Sequence, residues 1–225
     1  MPIPPAQKDA APRTTAKERV YRTLRQWIIN GTMEPGERLN DVELAQYFSV
    51  SRTPVREAIQ LLSEQKLVRV IPSSGTYVAP IDEEDMRHVY QLLIGLQTMA
   101  LELARTRITP EDMERLAALN ETFLVCVKVG TAEDASSADY EFHHALCGLA
   151  GNPYLVEFSD QLELQARRNE NRFFQESEAL YDSYEGHKRI LAALAAGDLA
   201  AAKAELRSNW DVSLGKTQGE VKGGR

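Results

Sequence analysis

Residues 51–62 read Ser51-Arg52-Thr53-Pro54-Val55-Arg56-Glu57-Ala58-Ile59-Gln60-Leu61-Leu62, and this run decides the fold. Ser51 suits a helix N-cap, Pro54 is tolerated in a first turn, and Val55, Ala58, Ile59 and Leu62 recur along one helical face. Arg52 and Arg56, four residues apart, share another face at the N-terminal end. An arginine can bond a guanine edge through two N–H groups, and Thr53 can reach a phosphate. The same pair would equally serve to solvate an exposed helix, so the flanking sequence has to decide.

Upstream, Val20, Leu24, Trp27 and Ile28 fall at helical spacing, and Asn30-Gly31 supplies a left-handed stop. Glu34-Pro35-Gly36 makes a turn. Asp41 is the expected cap of a short helix holding Leu44, Ala45 and Phe48, which Ser49-Val50 breaks. Downstream, Val68-Arg69-Val70-Ile71 and Gly75-Thr76-Tyr77-Val78-Ala79 flank Pro72-Ser73-Ser74, the pattern of a small hairpin. Three helices and a hairpin within seventy residues predict a winged helix-turn-helix.

The motifs Gly31-x-x-x-Pro35-Gly36-x-x-Leu39, Leu44-Ala45, Ser51-Arg52-Thr53-Pro54-Val55-Arg56-Glu57-Ala58 and Gly75-Thr76-Tyr77-Val78 closely resemble the N-terminal domain of GntR-type bacterial transcription regulators. The resemblance spans residues 17–80. It implies that Arg52, Thr53 and Arg56, with Ser51 beside them, read an operator in duplex DNA, and that Gly75 and Thr76 bring the wing to it. One position departs. The exit of the reading helix usually carries Gly, and here it is Lys66, at a cost of about 1 kcal/mol if the left-handed conformation is kept.

The whole chain has 225 residues, 43% apolar and 26% charged, with a net charge of −7. Residues 1–80 hold 11 Lys/Arg against 8 Asp/Glu, or +3; the remainder holds 15 against 25, or −10. A basic module carried by an acidic one is the natural reading, since screening over about 10 Å hides distant charge. Two free cysteines, Cys126 and Cys147, suit a reducing compartment, and no stretch approaches a spanning helix or a signal-peptide core, so the expected location is the cytoplasm without membrane association. The expected organisation is a disordered arm over 1–14, the winged helix over 15–80, an all-helical effector-binding and dimerisation domain over 81–214, and a flexible tail over 215–225. The fold class is thus mostly α.

Beyond Pro80-Ile81, the acidic run Asp82-Glu83-Glu84-Asp85 opens a long helix. Six helices are expected over 82–106, 110–129, 132–150, 153–175, 177–196 and 198–213. On the third, Asp139 and His143 sit four residues apart, and both are ligands for Zn, Mn, Fe or Ni. Such a pair is commonly an ordinary surface contact, and Cys147 on the same face reads as a small core residue. The nearly all-apolar run 92–101 reads as core or dimer seam.

Asp139-x-x-Phe142-His143, Gly151-Asn152-Pro153, Glu185-Gly186-His187-x-x-Ile190-Leu191 and Gly197-Asp198 are similar to the FCD effector domain of the FadR subfamily, over residues 82–213, and the six-helix count resembles its VanR-like branch. In that family an Asp and three His hold a divalent metal, with a small carboxylate effector against it. Asp139, His143 and His187 match three positions; the fourth falls on Asn209, which offers a carbonyl oxygen. The resemblance implies a divalent metal, Zn, Mn or Ni. Many relatives also carry Tyr-x-x-Arg-x-x-x-Glu in the first helix, where this chain has Tyr90, Leu93 and Gln97. Arg105, Arg168 and Arg172 are then the candidate cations for a carboxylate, although each would also serve as a solvated helix-face charge.

The expected function is a transcription repressor, acting as a homodimer on a pseudo-palindromic operator and tuned by a small carboxylate near a divalent metal. A metal-free, ligand-responsive regulator is the alternative, and a metal sensor is a third reading. A helical metalloenzyme is a fourth, but it lacks a general base and leaves the DNA-reading module unexplained.

Overall fold

The computed structural model describes residues 14–171 and 177–219, so the expected arm through Arg13 lies outside the described residues. Two compact units partition the chain, one comprising residues through Trp27 with Gly36–Ala79, the other Ile28–Pro35 with the chain from Pro80 onward.

The first unit is built on α1 (Ala16–Ile29), α2 (Asp41–Tyr47) and α3 (Arg52–Glu64), with strands β1 (Arg38–Leu39), β2 (Val68–Ile71) and β3 (Gly75–Val78). Val20 and Leu24 of α1, Val55, Ala58 and Leu62 of α3, Leu67 and Val78 are fully buried, so the stripe seen in the sequence is the core. Gly31 (φ +78) follows α1 as the sequence predicts, but α2 and α3 end without glycine. Ser49 (φ +53) and Lys66 (φ +58) each take the left-handed position after a helix. After α3, Leu67 N–H returns to Leu62 O at 2.9 Å and Lys66 N–H to Ser63 O at 3.0 Å, and Val50 and Ser49 repeat the pattern after α2.

Two local readings need correction. Asn40, not Asp41, caps α2; its side chain accepts from Val42 N–H at 3.0 Å, because Asn40 is the last residue with extended backbone. The hairpin also gains an edge strand, β1, giving the order β1-β3-β2. Two residues are too few to show an alternating pattern in sequence.

The second unit consists of α4 (Glu83–Ala104), α5 (Pro110–Val129), α6 (Ala132–Gly148), α7 (Pro153–Glu170), α8 (Ser177–Ala195) and α9 (Leu199–Gly219). Asp82 caps α4 as expected, Thr109 and Thr131 form capping boxes with Asp112 and Asp134, and Asn152 caps α7. Helix α9 runs past the expected end at 213, through Gly215 to Gly219; a single helix-interior Gly costs only about 1 kcal/mol relative to Ala. The helices touch in cyclic order, α4 against α9, α9 against α8, α8 against α5, α5 against α6, α6 against α7, and α7 against α4. Tyr90, Leu93, Leu116, Phe142, Leu146, Ile190, Leu206 and Trp210 fill the ring. Leu93, at the position where relatives carry Arg, is fully buried among them. No helix among the described residues is long and apolar enough to cross a membrane.

Candidate DNA-reading surface and metal centre

On α3 the two arginines converge on one acid. Arg52 Nη2 lies 2.9 Å from Asp41 Oδ2, and Arg56 Nε lies 2.6 Å from the same oxygen. The Arg56 hydrogen bond, with Arg52 beside it, holds the Asp41 carboxyl below its usual range. Freed from capping, Asp41 ties the two side chains together while each stays more than half exposed. Thr53 is exposed beside them, and Ser51 holds the N-cap backbone position without a side-chain cap bond. In the wing, Gly75 takes φ +143, and a Cβ there would lie 3.0 Å from Arg38 Nε. Its neighbour Thr76 pairs with Leu39 and Val70, so the pleat turns the two to opposite faces.

Inside the helical ring, Asp139 and His143 from α6 meet His187 from α8, one ligand atom from each lying within 4.8 Å of the others. His187 Nε2 is 3.5 Å from Asp139 Oδ1, and His143 Nε2 is 3.9 Å from Oδ2. Both rings are essentially inaccessible and Asp139 is 8% exposed. Phe142 stacks on His187 with ring centroids 3.9 Å apart. Burial drives the His143 pKa down to about 3 and that of His187 well below its ordinary value, so both rings are neutral; burial raises Asp139 to about 6, against the Ser183 hydrogen bond and the Arg167 charge.

Two amides fix which nitrogen carries each proton. Gln97 Oε1 accepts from the Trp210 indole N–H at 2.8 Å, a group that can only donate, so the atom facing His143 Nδ1 at 3.0 Å is this same oxygen. Asn120 Nδ2 donates to Tyr184 O at 3.2 Å, which leaves Asn120 Oδ1 as the acceptor from His187 Nδ1 at 2.9 Å. Each imidazole is therefore an Nδ1–H tautomer, and both bare Nε2 atoms turn to the carboxylate. Two neutral imidazoles and a carboxylate are donor types that suit a divalent transition ion.

Asn209 on α9 joins this group. Its Nδ2 donates to Ser183 O at 3.4 Å and Oγ at 3.3 Å, Ser183 Oγ donates to Asp139 Oδ1 at 3.0 Å, and the amide interacts with the His143 ring. A Cβ on Gly186 would sit 2.7 Å from Asn209 Nδ2, so only glycine leaves room for this amide. The candidate cations are not gathered in the same way. Arg105 is exposed at the end of α4; Arg168, expected as a solvated charge, is 3% exposed because α7 turns that face inward; Arg172 lies outside the described residues. Cys147 is buried in the core and burial pushes its thiol up to about 12.

Sequence reasoning missed Gln97, Asn120 and Ser183, and also Glu163, whose carboxylate accepts from Gln97 Nε2 at 3.0 Å. Gln97 had left one signal, a single amide inside the apolar run 92–101. With these residues included, every helix of the ring contributes a polar side chain to one central network.

Residues 88–211, more than half of the chain, match the FCD domain family, and residues 16–78 match the family described as bacterial regulatory proteins, gntR family. The chain belongs to the GntR family. This GntR regulator is similar to the HTH-type transcriptional regulator YdhC of Bacillus subtilis (strain 168), 31% identical over 136 residues, 60% of this chain and 61% of that protein. It is 26% identical over 214 residues to the gluconate operon transcriptional repressor of Bacillus licheniformis, covering 92% and 86% of the two chains. Among solved structures, Escherichia coli McbR/YncC superposes with a TM-score of 0.80 over 93% of this chain and all of that one, at 23% identity, a likeness of fold. A GntR regulator with an FCD domain is a transcription regulator and not an enzyme, which sets the metalloenzyme alternative aside.

Proposed function

We propose that this GntR regulator is a repressor whose operator affinity is set by a small carboxylate bound in the six-helix domain beside a divalent metal. The observation that carries it is the pair of bare imidazole nitrogens turned to one carboxylate inside an apolar ring of helices. Asp139, His143, His187 and the Asn209 carbonyl would hold the ion, which when bound supplies a positive anchor for an effector carboxylate. A relative named for gluconate, itself a carboxylate, supports that class. On the DNA side, Arg52, Arg56 and Thr53 would address base edges and phosphates, with Gly75 and Thr76 of the wing alongside.

The operator would be read by a two-fold dimer. Leu92, Met99 and Leu103 recur on one face of α4, and Tyr154 and Phe158 lie four residues apart on α7, the helix packed against it; all five are exposed. Exposed apolar patches of this kind mark association surfaces, and a second copy satisfies the symmetry of a palindromic site.

Elemental analysis of the purified protein, with His143→Ala as control, tests the metal. About one transition metal per chain, lost in the control, supports the reading; no metal after refolding with zinc or manganese leaves the metal-free regulator. Light scattering of Met99→Glu tests the dimer, with a shift to monomer expected.

A further inference from the structure

Helices α5 and α6 line a cleft of about 410 Å³, with Asp112 and Arg115 on one side and His144, Ala145, Gly148 and Leu149 on the other. That volume falls within the range of small-molecule sites. The cleft is separate from the metal centre. Asp139 and His143 lie on the face of α6 buried in the helical ring, whereas His144 and Gly148, four residues apart, share a face that reaches solvent.

The polar groups of the lining are held apart rather than spent on one another. Asp112 and Arg115 are one helical turn apart on α5, close enough for an ion pair, and they form none among the described residues. Asp112 Oδ2 accepts from the Thr109 N–H and hydroxyl, both at 3.0 Å, which leaves Oδ1 unused there. Arg115 is exposed and has neither an acid nor a hydrogen-bond acceptor among the described residues. His144 is fixed from behind. Asp160 Oδ1 of α7 lies 2.8 Å from its Nδ1, and a carboxylate accepts, so Nδ1 carries a hydrogen and Nε2 is the nitrogen left for a ligand. The Tyr140 ring packs on the imidazole, with centroids 5.4 Å apart. Gly148 keeps the cleft open, since a Cβ there would meet no atom within 4 Å.

The cleft thus sets one cation, one anion and one oriented imidazole around a small apolar floor. A lone anion would be attracted by Arg115 and repelled by Asp112, and a lone cation the reverse. A molecule that carries both charges satisfies both side chains. We propose that the α5–α6 cleft binds a small zwitterion of the α-amino acid class, its carboxylate on Arg115 and its ammonium on Asp112, with His144 Nε2 as a third polar contact. This site is additional to the metal-held carboxylate proposed above and does not depend on it.

The test is a thermal-melt screen of the full chain against the standard free amino acids, each beside its N-acetyl and carboxamide derivatives. Calorimetry then measures Kd for any that bind. At least one amino acid should raise Tm by about 3–6 °C at about ten times its Kd, and both derivatives should lose the effect. Gly148→Leu fills the open cleft and should abolish binding. Arg115→Ala should weaken it about 10- to 100-fold, as should Asp112→Asn, which keeps an acceptor for Thr109 and loses the charge. Melts without ligand check that these variants fold. A chelator should leave binding unchanged; binding lost with the metal places the ligand at the metal centre and overturns the proposal. A wild-type Tm that no amino acid moves, a shift that persists in Gly148→Leu, or one that survives N-acetylation also overturns it.

Discussion

The Nε2 atoms of His143 and His187 face each other at 3.2 Å, and the tautomers assigned from Gln97 and Asn120 leave both without a hydrogen. Two lone pairs at that distance repel, and both rings are too deeply buried to relieve the contact by taking up a proton. The arrangement persists because Gln97 and Asn120 occupy the Nδ1–H groups from outside, and a shared cation would turn the repulsion into two bonds.

The first prediction tests these amides. Gln97→Leu and Asn120→Leu should each weaken zinc or manganese binding about 10- to 100-fold, the usual cost of losing an outer partner of a metal-bound histidine. Competition with a chromophoric chelator measures it, and Gln97→Glu, which keeps the acceptor, should retain binding far better than Gln97→Leu.

Lys66 is a correctable strain. It holds a left-handed conformation at the exit of α3, so Lys66→Gly should stabilise the winged-helix unit by about 1 kcal/mol, read from chemical denaturation. An unchanged or lowered midpoint would mean that the chain gains as much freedom unfolded as it loses strain when folded.

Asp41 ties together Arg52 and Arg56, the two arginines proposed to read base edges. Asp41→Asn should raise affinity for mixed-sequence duplex and lower the ratio of specific to non-specific binding, because two exposed guanidinium groups lose both their counter-charge and their shared anchor. The effect on stability should stay within about 1 kcal/mol, as for exposed ion pairs generally.

Glu163 gives a pH signature. Burial, with Glu170 and Asp139 nearby, raises its carboxyl well above the ordinary value. A carboxyl whose folded pKa is raised favours the folded state below its unfolded pKa, near 4.5, and loses that advantage as pH rises toward the folded value. Glu163→Gln keeps an acceptor for Gln97 and removes the titration, so the gain in Tm of the variant over wild type should grow from pH 5 to pH 8. Equal differences at both ends would show that Glu163 is ionised in the fold throughout.

What the sequence determined is what short-range periodicity can encode. The apolar stripe of α3, the acidic opening of α4 at Asp82, and the Asp139/His143 spacing each need only a few neighbouring residues, and each appears in the fold as one helical face or one helix end. Motif resemblance added His187 and Asn209 from distant helices. The tertiary structure alone decided which nitrogen of each imidazole is bare, because the amides that fix it stand 46 residues from His143 and 67 from His187. It alone joined Arg52 and Arg56 through Asp41, released from capping by a one-residue difference in where extended backbone ends.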